Sequence, residues 1–215
     1  IDYKFIEEEK KDEKTIADKV DELTPVQVIM DSEDLLKKHY LSDTSLVSSE
    51  VKKVSDGIGF DEVLEVTNIY DQDVNYLSQF TVSTKADIEM NDVVSVSFYA
   101  RKILGTDESG FAGGGIAFEY KGGNWDKSIA ETFEIPDEWT RYVYVGKVIK
   151  PAKAGAQQLA FRVGFRRQII QIGGLEILNY KKTVNIGDID VEQAEKTTYK
   201  GREDGALWRE EALHR

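Results

Sequence analysis

Gln-Gln-Leu-Ala-Phe-Arg-Val-Gly-Phe-Arg-Arg-Gln-Ile-Ile-Gln-Ile-Gly-Gly-Leu-Glu-Ile-Leu-Asn-Tyr, residues 157–180, is the stretch that decides the fold. Leu159, Phe161, Val163 and Phe165 alternate with Ala160, Arg162, Gly164 and Arg166. A period of two buries one face of an extended strand and leaves the other wet. A turn carrying Arg166, Arg167 and Gln168 follows, and then a second strand, Ile169–Tyr180, in which Gly173-Gly174 predicts a bulge or bend. Its apolar content suits a central strand of a sandwich. No catalytic motif lies in this stretch.

The same texture extends outward from about residue 46. Strands are expected over Leu46–Val54, Asp61–Ile69, Leu77–Ser83, Val93–Ile103, Gly114–Lys121, Lys127–Ile135 and Arg141–Lys150. Turn formers separate them, among them Asp56-Gly57, Asn91-Asp92, Gly122-Gly123-Asn124 and Pro151-Ala152-Lys153. Val94, Val96, Phe98 and Ala100 share one face of their strand, and Ser95, Ser97, Tyr99 and Arg101 the other. Short strands in succession with no helical period between them predict an all-β protein, an antiparallel β-sandwich of the jelly-roll kind.

The two ends read differently. Residues 1–45 are expected to form a leader: a mixed charge run over 7–14, an amphipathic turn on Ile16, Val20 and Leu23 ending near Pro25, a brief strand over Pro25–Met30, and a helix over Glu33–Tyr40 capped by Ser32. Residues 46–180 are the sandwich. Residues 181–215 read as a polar linker and then a helix over 206–215, the start of a further domain. There Trp208 and Ala212 lie four apart, as do Glu211 and Arg215. The chain starts at Ile1 without Met, which hints at a mature or trimmed protein.

The 215 residues carry a formal charge of −12, with 32% of them charged. That balance argues against nucleic acid and against an anionic membrane surface as partners. There is no cysteine, so neither a disulfide framework nor thiolate chemistry is available. Two histidines, His39 and His214, leave little scope for zinc sites or triads.

The tail Tyr199-Lys-Gly-Arg-Glu with Trp208-Arg-Glu-Glu-Ala-Leu-His-Arg215, the strand Gln168–Tyr180 and the strand Asn91–Arg101 with its Phe98-Tyr-Ala-Arg resemble a segment of multi-domain bacterial family-ten glycoside hydrolases, the endo-xylanases. In those proteins a β-sandwich module precedes the catalytic barrel. The resemblance runs over roughly residues 58–215, and the paired glutamates of the barrel are absent from this chain. It implies a non-catalytic carbohydrate-binding-like module, secreted, periplasmic or at the cell surface. Its implied partners are a neutral polysaccharide, xylan or a related β-glycan, and the following catalytic domain. Two other readings stay open: a sugar-blind structural module that packs on the barrel, and a β-sandwich lyase or hydrolase.

A sugar site on a jelly roll needs flat aromatic faces for the apolar side of a pyranose and planar polar groups for its hydroxyls. Trp125, in the polar loop Gly122–Asp126, is the leading stacking candidate, and Trp139 is expected to anchor a strand instead. Tyr99, Arg101, Arg162 and Gln168 lie off the core-facing set and are expected to line a sheet face. Tyr70 and Tyr76 flank Asp71–Asn75, a loop placed to close one end of a groove. Asp71, Asp73 and Asn75 alternate like part of a calcium loop but lack its glycine and terminal glutamate. No cofactor is expected beyond a structural calcium. Glu119, Glu131, Glu134 and Glu176 fall in expected strands without the signature of a cleft between paired carboxylates.

Overall fold

The computed structural model describes residues 13–105, 110–190 and 192. The helix expected over 206–215, the tail that carries part of the resemblance and most of the charge run over 7–14 lie outside the described residues.

In chain order the elements are α1 (Ile16–Asp21), β1 (Gln27–Asp31), α2 (Ser32–Lys38), β2 (Tyr40–Leu41), β3 (Val47–Lys53), β4 (Glu62–Asn68), a 3-10 turn (Asn75–Leu77), β5 (Gln79–Ser83), β6 (Val93–Gly105), β7 (Ala112–Tyr120), β8 (Lys127–Ile135), β9 (Thr140–Lys147), β10 (Gln157–Arg162), β11 (Gln168–Asn179) and α3 (Ile186–Ile189). The strands form two antiparallel sheets. Sheet A runs β3-β4-β11-β6-β9, with β1 also on β11; sheet B runs β2-β5-β10-β7-β8. The fold is the all-β sandwich that the alternation predicts.

Both N-terminal helices start on reciprocal caps. The Thr15 hydroxyl accepts from the Asp18 N–H while the Asp18 carboxylate accepts from the Thr15 N–H. At α2 the cap is Asp31, not the expected Ser32. Asp31 ends β1 in extended conformation and its carboxylate accepts from the N–H groups of Glu33 and Asp34. The helix stops at Lys38, two residues short of expectation. His39 turns extended and Tyr40 pairs with Thr81.

From Gln27 on, the segment before residue 46 pairs and packs with the sandwich. β1 pairs with β11 from Gln27↔Asn179 to Asp31↔Glu176, and Ile29, Met30 and Leu35 sit in the same core as Leu64, Phe98, Phe118 and Phe161. A boundary near residue 45 would divide that core.

Gly173-Gly174 makes the predicted bulge. The β11–β6 register steps from Gly173↔Tyr99 to Glu176↔Ser97, and Gly174 has φ +59°. One residue is extra, so Leu175 and Ile177 return to the inner face that Ile170 and Ile172 occupy before it.

The end of β10 departs from the expected pattern. The strand stops at Arg162, because Gly164 turns to exchange backbone hydrogen bonds with Gln72 and Asn75 of the loop before β5. Phe165 therefore leaves the core-facing set. Its ring lies against the outer face of β7, where a Cβ at Gly113 would come within 2.7 Å of the Phe165 Cβ.

Candidate functional site on the outer face of sheet B

A two-sheet sandwich has two outer faces, and here they differ. Sheet A is covered at one end by α1 and α3. Val20, Ile186 and Ile189 pack with Val93, Val145 and Tyr180 into a second apolar cluster. Asp21 fastens α1 to β9 with two 2.7 Å hydrogen bonds from the Arg141 guanidinium, and those bonds hold the Asp21 carboxyl below its usual range.

The other end of sheet A is closed by the loop between β3 and β4. Phe60 sits over Gly173-Gly174 and meets Tyr99 at 5.6 Å and Trp139 edge-on at 5.4 Å. The Arg101 guanidinium lies 4.6 Å from the Trp139 ring and pairs with Asp56 at 2.9 Å, and the Trp139 Nε1–H donates to the same carboxylate at 2.8 Å. Arg101 Nε donates to Gln171 Oε1, and Gln171 Nε2 to Glu65. These groups satisfy one another, so Tyr99 and Arg101 cross-link a loop to sheet A. Trp139 is an anchor as expected, but on the outer face.

Among the described residues no α-helix covers the outer face of sheet B; the 3-10 turn meets it at β10. Registers place Gln158 opposite Glu119, Ala160 opposite Ala117 and Arg162 opposite Gly115 on β10 and β7. Thr81 and Ser83 of β5 lie on one side of that row, Ala130 and Lys127 of β8 on the other. The residues between, Leu159, Phe161, Ile116 and Phe118, point into the core.

The floor of this face is polar and nevertheless buried. Arg162 extends back along β10 until Nη2 stands 3.7 Å from Glu119 Oε2, and Lys127 Nζ reaches the same oxygen at 3.6 Å from the β8 side. Gln158 Nε2 donates to Glu119 Oε1 at 3.1 Å. The Glu119 side chain is only 5% exposed. Ala117 and Ala160 lie between the two in the register, with only methyl side chains. Burial pulls the Arg162 pKa below its ordinary value, with the Glu119 charge acting in the opposite direction. Arg162 Nε is buried without a hydrogen-bond partner.

Segments that carry aromatic residues lie at both ends of this floor. Phe165 lies over Gly113 and Gly115. The 3-10 turn that carries Tyr76 packs on β10, near enough for its phenol to act electrostatically on Arg162, and Tyr76 is exposed. At the opposite end the β7–β8 loop carries Trp125, 46% exposed and in left-handed conformation at φ +55°. The Trp125 carbonyl accepts from Lys127 Nζ at 3.0 Å, tying this loop to the ammonium that approaches Glu119.

The structure thus puts Arg162 on the outer face of sheet B beside the turn that carries Tyr76, puts the Trp125 loop at the far end of β7, and sets Tyr99 and Arg101 on the opposite sheet. Tyr70 is exposed at the start of the loop before β5, where its carbonyl accepts from Asn68 Nδ2. Gln168 does not face solvent. It points between the sheets, accepting from the Gly113 N–H at 2.8 Å and donating to the carbonyls of Gly113 and Val163 at 2.7 and 2.8 Å. The expected placement on a sheet face fails because Gln168 opens β11 in phase with Ile170 and Ile172.

Of the alternating oxygens in the loop before β5, Asp71 accepts from the Arg167 N–H at 2.5 Å. No group of three or more metal-ligating side chains occurs among the described residues. The four glutamates do not converge: Glu176 lies on sheet A, Glu119 and Glu134 face outward near opposite ends of sheet B, and Glu131 is on the other side of β8.

No protein-family model matches the chain, and no curated relative matches it. Solved structures do. The CBM22-1 xylan-binding domain of Xyn10C from Paenibacillus barcinonensis superposes with a TM-score of 0.53 at 13% identity, over 74% of this chain and 98% of that one. The fold is shared with carbohydrate-binding modules. The CBM22-1–GH10 modules of Clostridium thermocellum endo-1,4-β-D-xylanase 10B, complexed with xylohexaose, match with a TM-score of 0.52 at 11% identity, over 74% of this chain and 29% of that one. The arabinose-bound α-L-arabinofuranosidase MgGH51 matches with a TM-score of 0.51 at 11% identity, over 74% of this chain and 25% of that one. At these identities the likeness is one of fold.

Proposed function

We propose that this chain is a non-catalytic carbohydrate-binding module that holds a neutral, β-linked polysaccharide of the xylan type on the outer face of sheet B. One observation carries the reading. Of the two outer faces, one is closed by the chain's own helices and a cross-linked loop, while the other carries guanidinium, carboxylate and carboxamide groups on its floor, with the Tyr76 turn and the exposed Trp125 in the loops that flank it. Such planes pair with sugar hydroxyls, and aromatic rings take the C–H face of a pyranose. The fold shared with xylan-binding modules supports it. In this reading the module works outside the cell beside a glycoside hydrolase, raising the enzyme's effective concentration at its substrate, for which a weak site suffices.

The test is affinity gel electrophoresis of the protein in gels containing xylan, mixed-linkage glucan or mannan, against a gel without polysaccharide. Retardation by xylan that Trp125→Ala removes is the expected result. Migration unchanged by every glycan would reject the reading.

A sugar-blind module that packs on a neighbouring domain is the second reading. Ile103, Leu104 and Phe111 favour it: 45%, 50% and 37% exposed, they lie where β6 ends and β7 begins. In that case no glycan retards the protein.

A further inference from the structure

Glu119 is a carboxylate buried on an outer face, with a cation on each side and a hydrogen bond to neither. Oε1 accepts from Gln158 at 3.1 Å. Oε2 lies 3.6 Å from Lys127 Nζ and 3.7 Å from Arg162 Nη2, beyond hydrogen-bond length. An oxygen seated beside these three groups is within reach of all of them. The inserted group must donate to a carboxylate and accept from an ammonium and a guanidinium. A hydroxyl does both. A carboxylate or sulfate would satisfy the cations but set like charges against each other at Glu119, and an ammonium would do the reverse.

We propose that Glu119 Oε2, Arg162 Nη2 and Lys127 Nζ form the anchoring subsite for one hydroxyl of a neutral sugar, Glu119 accepting its proton and the two cations donating to its oxygen. The proposal rests on the reading that this face binds a glycan. It adds the residue that orients the sugar and the charge state it selects. Glu119 is the specificity-determining member, because it is the acceptor that excludes an acidic sugar.

The experiment is calorimetric titration of xylohexaose, and of a xylo-oligosaccharide carrying glucuronic acid, into the wild-type protein and Glu119→Gln, Lys127→Met, Trp125→Ala and Glu176→Gln. Glu176 is on sheet A and serves as the control. Melting curves verify that each variant is folded. Glu119→Gln is expected to weaken xylohexaose binding more than tenfold and to narrow the preference for it over the acidic ligand. Lys127→Met should weaken it severalfold and Glu176→Gln not at all. If Glu119→Gln binds like wild type while Trp125→Ala does not, the subsite is wrong and the binding face stands. If the wild-type protein takes neither ligand, the binding face falls and the subsite with it. Should Glu119→Gln fail to fold, Lys127→Met decides, and unchanged affinity in that variant overturns the subsite.

Discussion

Arg162 and Glu119 meet although they are not partners in the sheet. Arg162 is registered against Gly115 and Glu119 against Gln158, yet the guanidinium folds back over Ala160 and Ala117 to within 3.7 Å of the carboxylate. Both small residues are fully buried. Replacing Arg162 by Ala strands a buried carboxylate and uncovers apolar surface. The loss should be about 2–4 kcal/mol, of which the charge effect is the larger part. Urea denaturation measures it, and Arg162→Ala,Glu119→Gln should recover part of the loss.

Gly173 is the seat of Phe60. A Cβ there would lie 2.5 Å from the Phe60 ring, and at Gly174 the left-handed φ of +59° adds backbone strain. Gly173→Ala should therefore lift the β3–β4 loop and cost about 1–3 kcal/mol. Because this bulge is on sheet A, the variant should still bind xylan with wild-type affinity wherever it remains folded. Thermal denaturation paired with affinity electrophoresis separates the two effects.

The closure of sheet A by α1 makes the N-terminal segment structural. Deleting residues 1–23 removes Val20 from the cluster with Val93, Val145 and Tyr180 and leaves Arg141 without Asp21. A lowered melting temperature with unchanged sheet content by circular dichroism is expected. Ile186→Ala should act in the same direction by about 2–4 kcal/mol.

Acid sensitivity should trace in part to Asp92. Its side chain is fully buried. Burial pushes its pKa up, but hydrogen bonds from Asn179, the Glu89 N–H and Lys181 outweigh that and leave the pKa lowered. A carboxyl depressed by folding contributes stability that is complete above its unfolded pKa of about 4 and is lost as pH falls through the folded value. Asp92→Asn should thus be less stable than wild type at pH 7 by about 1–3 kcal/mol, and the gap should narrow below about pH 4. Denaturation midpoints measured from pH 7 to 3 test the sign.

The strands were legible because alternation survives wherever both sheet faces are sampled, as along Val94–Arg101. The bulge was legible because two adjacent glycines have few other uses inside a strand. What was not legible depends on contacts distant in sequence. Nothing near Phe165 shows that Gly164 will bond to Gln72 and Asn75 and turn the ring outward. Nothing near Gln168 shows that Gly113, 55 residues earlier, will take its amide. Tyr99 and Arg162 share the property of facing away from the core, but a sandwich has two outsides, and only the pairing of β6 in sheet A and β10 in sheet B separates them. Glu119 and Gln158 had a local signal, since both are polar on strands whose alternate residues are apolar. Their meeting required the register.

The central claim is that sheet B carries the ligand face. The most direct test is a titration of the isotopically labelled protein with xylohexaose, followed by amide chemical shifts. The account predicts that shifts concentrate on β5, β7 and β10 and the Trp125 loop, and leave β4, β6 and β11 unmoved. Shifts centred on Tyr99, Arg101 and the Phe60 loop would contradict it.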